Sequence, residues 1–415
     1  MQKKTTISRR SALALGAATG VAAIAPYRAR AQAPKEVKIA MLVPLSGPWA
    51  RTGILEQMGA EMAIEDINNA GGIKSLGGAK MKLIQFDAGD SSEKAKNAAQ
   101  RMVAQEPDLV GGFGAWLSSF TLAVTEVTER ADLPWLTLSY SDLITGRGFK
   151  YVFQTAPTAK VQAESIVPTI MELAEKTTGK RPTKIAIVGD NTAASESFLK
   201  PIREHVLAQQ KLAAVVDQIY TPPLSDATTL IQPIRSARPD FVLVQSTNAP
   251  DDKLLMDKFA EYGLAGGKLP LIGGGGHFAT PELLQTIGAD ILQGLFVGLA
   301  NWPGKAQAEL AARFIARTKE PWFGHDSIFA YAHTMILKEA LERAGVADRR
   351  KVAEAIRAMD MRDGPAKFYP GSHLKFDETG KRVDAQLVVV QWQNGKPVTV
   401  FPKEIAAAEP IWGKG

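Results

Sequence analysis

Residues 108–142 read DLVGGFGAWLSSFTLAVTEVTERADLPWLTLSYSD. Apolar Leu109 and Val110 run into glycines at 111, 112 and 114, and the chain then reaches Ser118-Ser119-x-Thr121. Leu122, Ala123, Val124 and Val127 follow at helical spacing. This pattern predicts a strand, a tight glycine turn and a helix whose first turn carries hydroxyls. A second strand is expected over 134–138, ending in Ser139-Tyr140-Ser141-Asp142. Two successive parallel strands thus deliver polar groups at their carboxyl ends, where open α/β sheets bind ligands. The unpaired N–H groups of a helix start, with serine hydroxyls beside them, hold a small anion such as a carboxylate without a cation.

Upstream, 37–43 reads as a buried strand, and a helix follows from Thr52 or Gly53 to Gly71-Gly72. A strand over 80–87 and a helix from Ser91 complete a β-α-β-α-β series, which implies a parallel sheet covered on both faces. Downstream the pattern repeats. Helix 159–178, strand 184–188, helix 195–210, strand 215–220, helix 225–237, strand 240–245 and helix 250–262 lead to 269–272 and the loop Gly273-Gly274-Gly275-Gly276-His277. A strand over 295–300 precedes helices near 304–319, 325–344 and 348–359. The tail predicts a hairpin at Thr379-Gly380, a long strand, and another hairpin at Asn394-Gly395. The fold class is therefore α/β, with two doubly wound, Rossmann-like lobes.

At 415 residues with 45% apolar content the chain is long enough for two cores. The absence of cysteine excludes disulfides, thiol catalysis and a Cys-based zinc site. Lys3, Lys4 and Ser8-Arg9-Arg10-Ser11, a mild apolar run to about Ala25, and small residues at Ala29, Ala31 and Ala33 read as an export signal over 1–33. The paired arginines resemble a twin-arginine signal, with cleavage favoured after Ala31 because Pro34 would follow a cut at Ala33. The formal charge of +6 resides in that segment, whose six basic residues face no acid, so the remainder is neutral. No basic stripe remains for nucleic acid. The mature protein is expected in the periplasm.

No catalytic constellation emerges. Gly112-x-Gly114 lacks the third glycine of a dinucleotide fingerprint, and no nucleophile elbow or His-Glu-x-x-His occurs. His325 and His333 stand eight apart, too far for a shared metal face. No metal, cofactor or enzymatic activity is expected.

The order of parts resembles the type I periplasmic solute-binding proteins of the Leu/Ile/Val-binding group, which serve ATP-driven importers. The resemblance is carried by Leu45-Ser46-Gly47-Pro48 with Thr52-Gly53, by Asp66-Ile67-Asn68-x-x-Gly71-Gly72-Ile73, and by Asp87 with Asp90. Gly114 to Thr121, Asp240-Phe241-Val242 and Phe376-Asp377-x-x-Gly380 match as well. It implies two lobes joined by a three-strand hinge: 34–157 plus 301–362, and 158–300 plus 376–415, with 363–375 as the third crossover. It also implies a monomer that captures a small carboxylate-bearing solute, an amino acid such as a branched-chain one or a related acid, and delivers it to the membrane permease of an ABC importer.

Carried over residue by residue, Ser118 falls where the family holds a ligand carboxylate, with Ser119 and Thr121 beside it. Tyr140 and Ser141 fall where backbone and hydroxyl groups hold the amino and carboxyl groups. Thr52 matches a position usually aromatic over the ligand, and Trp49 and Trp116 stand nearby as a replacement wall. On the second lobe Thr247-Asn248 replace a tyrosine. Gly275, flanked by Gly276 and His277, replaces the glutamate that accepts the ammonium. Either Asp142, Asp190 or Asp251 supplies the missing charge, or the ligand has no amine and is an aromatic or aliphatic acid. Asp66 and Asp87 read as structural. A sensor lobe for a signalling partner and an α/β enzyme are the alternative readings of the same fold.

Overall fold

The computed structural model of the protein describes residues 34–413; the expected export signal lies outside the described residues. The chain begins with β1 (Glu36–Val43), α1 (Ala50–Asn69), β2 (Lys80–Asp87), α2 (Ser92–Gln105), β3 (Leu109–Gly114) and α3 (Ser118–Arg130). With β4 (Trp135–Thr137) and β5 (Val152–Gln154) these strands form a parallel sheet ordered β2-β1-β3-β4-β5. α4 (Ala159–Thr178) leads into β6 (Lys184–Asp190), α5 (Ala193–Pro201), α6 (Leu207–Gln210), β7 (Ala213–Tyr220), α7 (Thr228–Ala237) and β8 (Phe241–Gln245). Then come α8 (Ala249–Glu261), β9 (Leu271–Gly274), α9 (Pro281–Ile287), α10 (Ala289–Leu292) and β10 (Phe296–Leu299). α11 (Ala308–Thr318), α12 (His325–Ala344) and α13 (Arg349–Arg357) follow, and apolar residues of α12 and α13 bury in the core of the first sheet. A short antiparallel pair, β11 (Asp360–Met361) and β12 (Leu374–Lys375), precedes the hairpin of β13 (Val388–Gln393) and β14 (Lys396–Phe401). The second sheet is ordered β14-β13-β10-β9-β8-β6-β7, parallel except for β13, which runs antiparallel to both β10 and β14. Asn394 and Gly395, both at positive φ (53° and 74°), form the expected hairpin turn.

Several of the motifs that carry the resemblance brace the first lobe internally. Asp66 accepts two hydrogen bonds from Arg313 (2.7 and 2.9 Å) and one from Tyr331 (2.8 Å), tying α1 to α11 and α12. Asn68 pairs in both directions with the backbone of Met81 at the start of β2. Asp87 accepts from the N–H groups of Leu45 and Gly89, closing the loops after β1 and β2.

Two details depart from the sequence expectations. The helix expected over 195–210 is split after Pro201 by a wider turn, Ile202–Val206, because proline cannot donate to the ladder. Residues 363–375, expected as the third crossover, pack on the first lobe, where Ala366, Tyr369 and Leu374 join its core. The adjoining hairpin pairs with β5: Gln154 N–H donates to Gly380 O at 2.8 Å and Arg382 N–H to Gln154 O at 2.9 Å. The chain therefore passes to the second sheet only between Val383 and Val388.

Gly380 makes this attachment possible, since its φ is +91° and an added Cβ would stand 2.1 Å from Val152 O. The variant Gly380→Ala is expected to lose about 1–3 kcal/mol of stability, seen as a lower urea midpoint. An unchanged midpoint would show that the hairpin does not depend on this approach.

Candidate functional site

Both sheets reverse their winding direction at the same relative place. β1 has β2 on one side and β3 on the other, and β6 likewise separates β7 from β8. The crevices beyond the carboxyl ends of these strands are where such sheets take ligands. The segments that follow β3 and β8 line one inner cavity between the lobes, of about 40 Å³, walled by Trp116, Ser118, Tyr140, Gln245, Thr247 and His277 among others.

On the first lobe the turn out of β3 is unusual: Ala115 and Trp116 both have positive φ, 67° and 43°. Ala115 N–H donates to Leu42 O at 2.6 Å, and Ser139 Oγ donates to Trp116 O at 2.6 Å, which holds the turn. α3 starts at Ser118 without a side-chain cap, and its first intrahelical bond runs from Thr121 N–H to Leu117 O. The N–H groups of Ser118, Ser119 and Phe120 therefore precede the ladder. Ser118 is buried, and its Oγ accepts from the N–H groups of Tyr140 (3.2 Å) and Ser141 (3.1 Å). Both acceptor directions are thereby used, leaving the hydroxyl proton to donate.

On the second lobe Asp190 organises the wall. One carboxylate oxygen accepts from Thr247 N–H and Oγ1, both at 2.7 Å, and the other from Thr192 N–H (2.9 Å) and Oγ1 (2.7 Å). Gly275, at φ +115°, turns the glycine loop, and an added Cβ at Gly276 would stand 2.5 Å from the His325 ring. Glycine at 276 thus lets the second lobe's backbone lie against the first lobe's imidazole.

Further contacts bridge the lobes around the cavity. Trp49 Nε1 donates to Thr247 O at 2.9 Å, Ser141 Oγ meets Ser197 Oγ at 2.9 Å, and Trp322 Nε1 donates to Ala279 O at 3.0 Å. The Trp116 and His277 rings meet edge to face, 6.3 Å between centroids. These two residues separate the inner cavity from an outer chamber of about 570 Å³, which Trp49, Thr52 and Lys253 help to line.

Burial keeps the site neutral. It drives the pKa of His277 and of His325 down to about 4, so both imidazoles are uncharged near neutral pH. It raises Asp326 to about 7 despite the bond from Trp116 Nε1 at 2.9 Å. Glu56, wholly buried beside it, is pushed well above the carboxylate range by desolvation and by the Asp326 charge. Burial likewise raises Asp252, whose Oδ2 stands 3.3 Å from His277 Nε2.

Of the residues expected at the site, Trp116, Ser118, Tyr140, Thr247, Gly275 and His277 come together around the inner cavity. Trp49 and Thr52 line the outer chamber instead, with Thr52 Oγ1 donating to Trp49 O at 2.7 Å. The others stand away from the inner cavity because their polar groups have partners elsewhere. Thr121 Oγ1 is bonded to Ser139 Oγ (2.6 Å) behind the wall, and Ser141 reaches across to Ser197. Ser119 is half-buried on the first turn of α3, outside the lining. Asp190 spends its oxygens on Thr192 and Thr247, and Asn248 turns its amide to Asp251 (2.9 Å). Gln245, Ser139 and His325 also line the cavity; the sequence marks Ser139 only as one of the strand-end polar groups and His325 only by its spacing from His333. His325 begins a helix far along the chain, and only the helix-opening pair Gly324-His325 hinted at it.

Comparison with known proteins matches residues 36–397 to the periplasmic binding protein family. The chain is 30% identical over 416 residues to Leu/Ile/Val-binding protein homolog 8 of Brucella melitensis, covering 97% of this chain and 98% of that one. Among solved structures, the branched-chain amino acid binding protein LivJ of Streptococcus pneumoniae, in complex with isoleucine, superposes with a TM-score of 0.74 at 19% identity, covering 88% and 100% of the two chains. A solute-binding protein from Rhodopseudomonas palustris, in complex with 3,4-dihydroxybenzoic acid, gives 0.74 at 21% identity, covering 91% and 99%. At those identities the two structures show the shared fold.

The raised pKa of Asp326 sets the sign of a pH effect. A buried acid that holds its proton in the folded state contributes stability fully present below about pH 4, lost as pH rises through 7. Replacing it by asparagine, which can still accept from Trp116, is expected to raise the melting temperature relative to the parent increasingly from pH 4 to 8. The differential stability should grow by about 2–4 kcal/mol. Parallel melting curves across that range would show that Asp326 ionises as freely as an exposed carboxylate. His277 and His325 work the other way, costing stability as pH falls from 6.5 through 4 in both proteins.

Proposed function

The chain belongs to the periplasmic binding protein family, and on that footing we propose that the solute closed between its lobes is a small carboxylate without an ammonium group. The family consists of solute-binding proteins rather than enzymes, and this chain is the substrate-binding component of an ABC importer. Family membership implies export to the periplasm and work with a membrane permease. We read the leader as cleaved within 31–33 and the mature protein as a monomer, with residues 34–157 and 301–382 as one lobe and 158–300 and 383–413 as the other.

The carboxylate docks on the first lobe, where the hydroxyl proton of Ser118 and the free N–H groups at the start of α3 receive it. The second lobe then closes through Thr247, the glycine loop and His277. An inner cavity of about 40 Å³ is far below the roughly 150 Å³ that holds a benzene-sized molecule in an apolar protein core. A solute with a ring or branched skeleton therefore enters only with the lobes parted. The bonds from Trp49 to Thr247 and between Ser141 and Ser197 form when the lobes meet, so they favour the closed state that the permease is to recognise.

One observation carries the choice of an amine-free acid: no aspartate or glutamate is among the residues lining the inner cavity. Asp190 is engaged at both oxygens, Asp251 accepts at Oδ1 from Leu224 N–H and the Asn248 amide, and Asp142 accepts from Lys160 N–H at 3.0 Å. An ammonium enclosed without an anion would cost several kcal/mol. The names of the Brucella relatives point to branched-chain amino acids, whereas the Rhodopseudomonas protein carries an aromatic acid, so the fold accommodates either.

A thermal-shift screen separates the two. Aromatic or aliphatic carboxylates are expected to raise the melting temperature, and the matching amino acids to leave it unmoved. A shift confined to amino acids would overturn the amine-free reading. In calorimetry Ser118→Ala should weaken acid binding by about 1–2 kcal/mol, and full affinity would remove the assigned anion site.

A further inference from the structure

We propose that the solute carries a hydroxyl group in addition to its carboxylate, received by the phenolic oxygen of Tyr140 on the first lobe with the side-chain carbonyl of Gln245 as the second acceptor on the other. This rests on the carboxylate reading above and assigns the polarity of the rest of the cavity.

The assignment follows from hydrogen-bond bookkeeping around His325. Its Nδ1 lies 3.1 Å from Asn301 O, and a carbonyl only accepts, so Nδ1 carries the ring proton. The buried ring stays neutral near pH 7, which leaves Nε2 as a bare lone pair. Tyr140 Oη stands 3.0 Å from that nitrogen and must donate to it. The phenol proton is thereby used, and Oη offers only lone pairs. The phenol of Tyr140 is therefore an acceptor toward the cavity, its role fixed by the backbone carbonyl on the far side of His325.

Gln245 supplies an independent observation. It ends β8, lines the inner cavity and is 5% exposed, yet its Oε1 has no hydrogen-bond partner among the described residues. The amide points its oxygen at Gly274, where an added Cβ would stand 2.0 Å from Oε1. Leaving a buried carbonyl unpaired is unfavourable, and a donor from the solute relieves it. The cavity thus has donors at the start of α3 and acceptors at Tyr140 and Gln245. A positively charged donor would lack a counter-ion, which leaves a neutral hydroxyl.

The test uses calorimetry on the whole mature protein with two matched series: benzoate with its hydroxy and methoxy derivatives, and propionate with lactate and methoxypropionate. In at least one series the hydroxy acid is expected to bind about tenfold or more tighter than both the parent acid and the methyl ether, which cannot donate. In Tyr140→Phe the ratio of hydroxy-acid to parent-acid affinity should shrink toward one, and Gln245→Leu, on the other lobe, should reduce it as well. If parent acids or ethers bind as tightly as the hydroxy acids in both series, the hydroxyl assignment is overturned while the carboxylate reading stands. If no acid of either series binds, the carboxylate reading falls, and this inference with it.

Discussion

A cavity closed between two lobes excludes water, so each polar group on its wall must find its partner in the protein or in what it encloses. That constraint organises this molecule. The wall carries two imidazoles, a phenol, hydroxyls, an amide and backbone N–H groups, and its titratable groups are held neutral by burial. Acids lie behind it, with Asp326 and Glu56 beneath Trp116 and Asp252 behind His277, and burial raises all three. The start of α3, without a side-chain cap, presents unpaired N–H groups beside this wall.

The same economy explains Asp190. A carboxylate at the end of β6 can meet a ligand or hold the neighbouring strand end, but not both. Here its two oxygens accept four hydrogen bonds from Thr192 and Thr247. Thr247 is thereby positioned to lend its carbonyl to Trp49 from the opposite lobe, so this acid supports the contact between the lobes.

His325 shows how a residue outside the sheet ends enters the site. It begins α12, a helix of the first lobe, and is fixed by Asn301 O, packed on by Gly276 and bonded to Tyr140. Through it a hinge segment, a first-lobe helix and the second-lobe glycine loop share one small volume. Any solute that reorients Tyr140 or the glycine loop acts directly on the contacts that keep the lobes together.

Much was legible in the chain because it is local. Apolar periodicity gave the alternating strands and helices, and the glycine turn before Ser118 marked the start of a helix that the structure sets beside the inner cavity. Asp66 and Asp87 read as structural from the motifs they sit in, and both accept hydrogen bonds inside the first lobe, Asp87 from nearby loops and Asp66 from distant helices. What the linear order could not reveal was which way a polar side chain would spend its hydrogen bonds. Asp190, Asn248, Ser141 and Thr121 are as polar as Ser118, yet partners up to 57 residues away claim them. Gln245 and His325 joined the cavity only because the two sheets reverse at matching points and bring strand ends and a helix start face to face. Sequence alone settles local conformation, which depends on neighbours along the chain; the chemistry of an enclosed cavity depends on which donors and acceptors are left unmatched, and only the packed structure decides that.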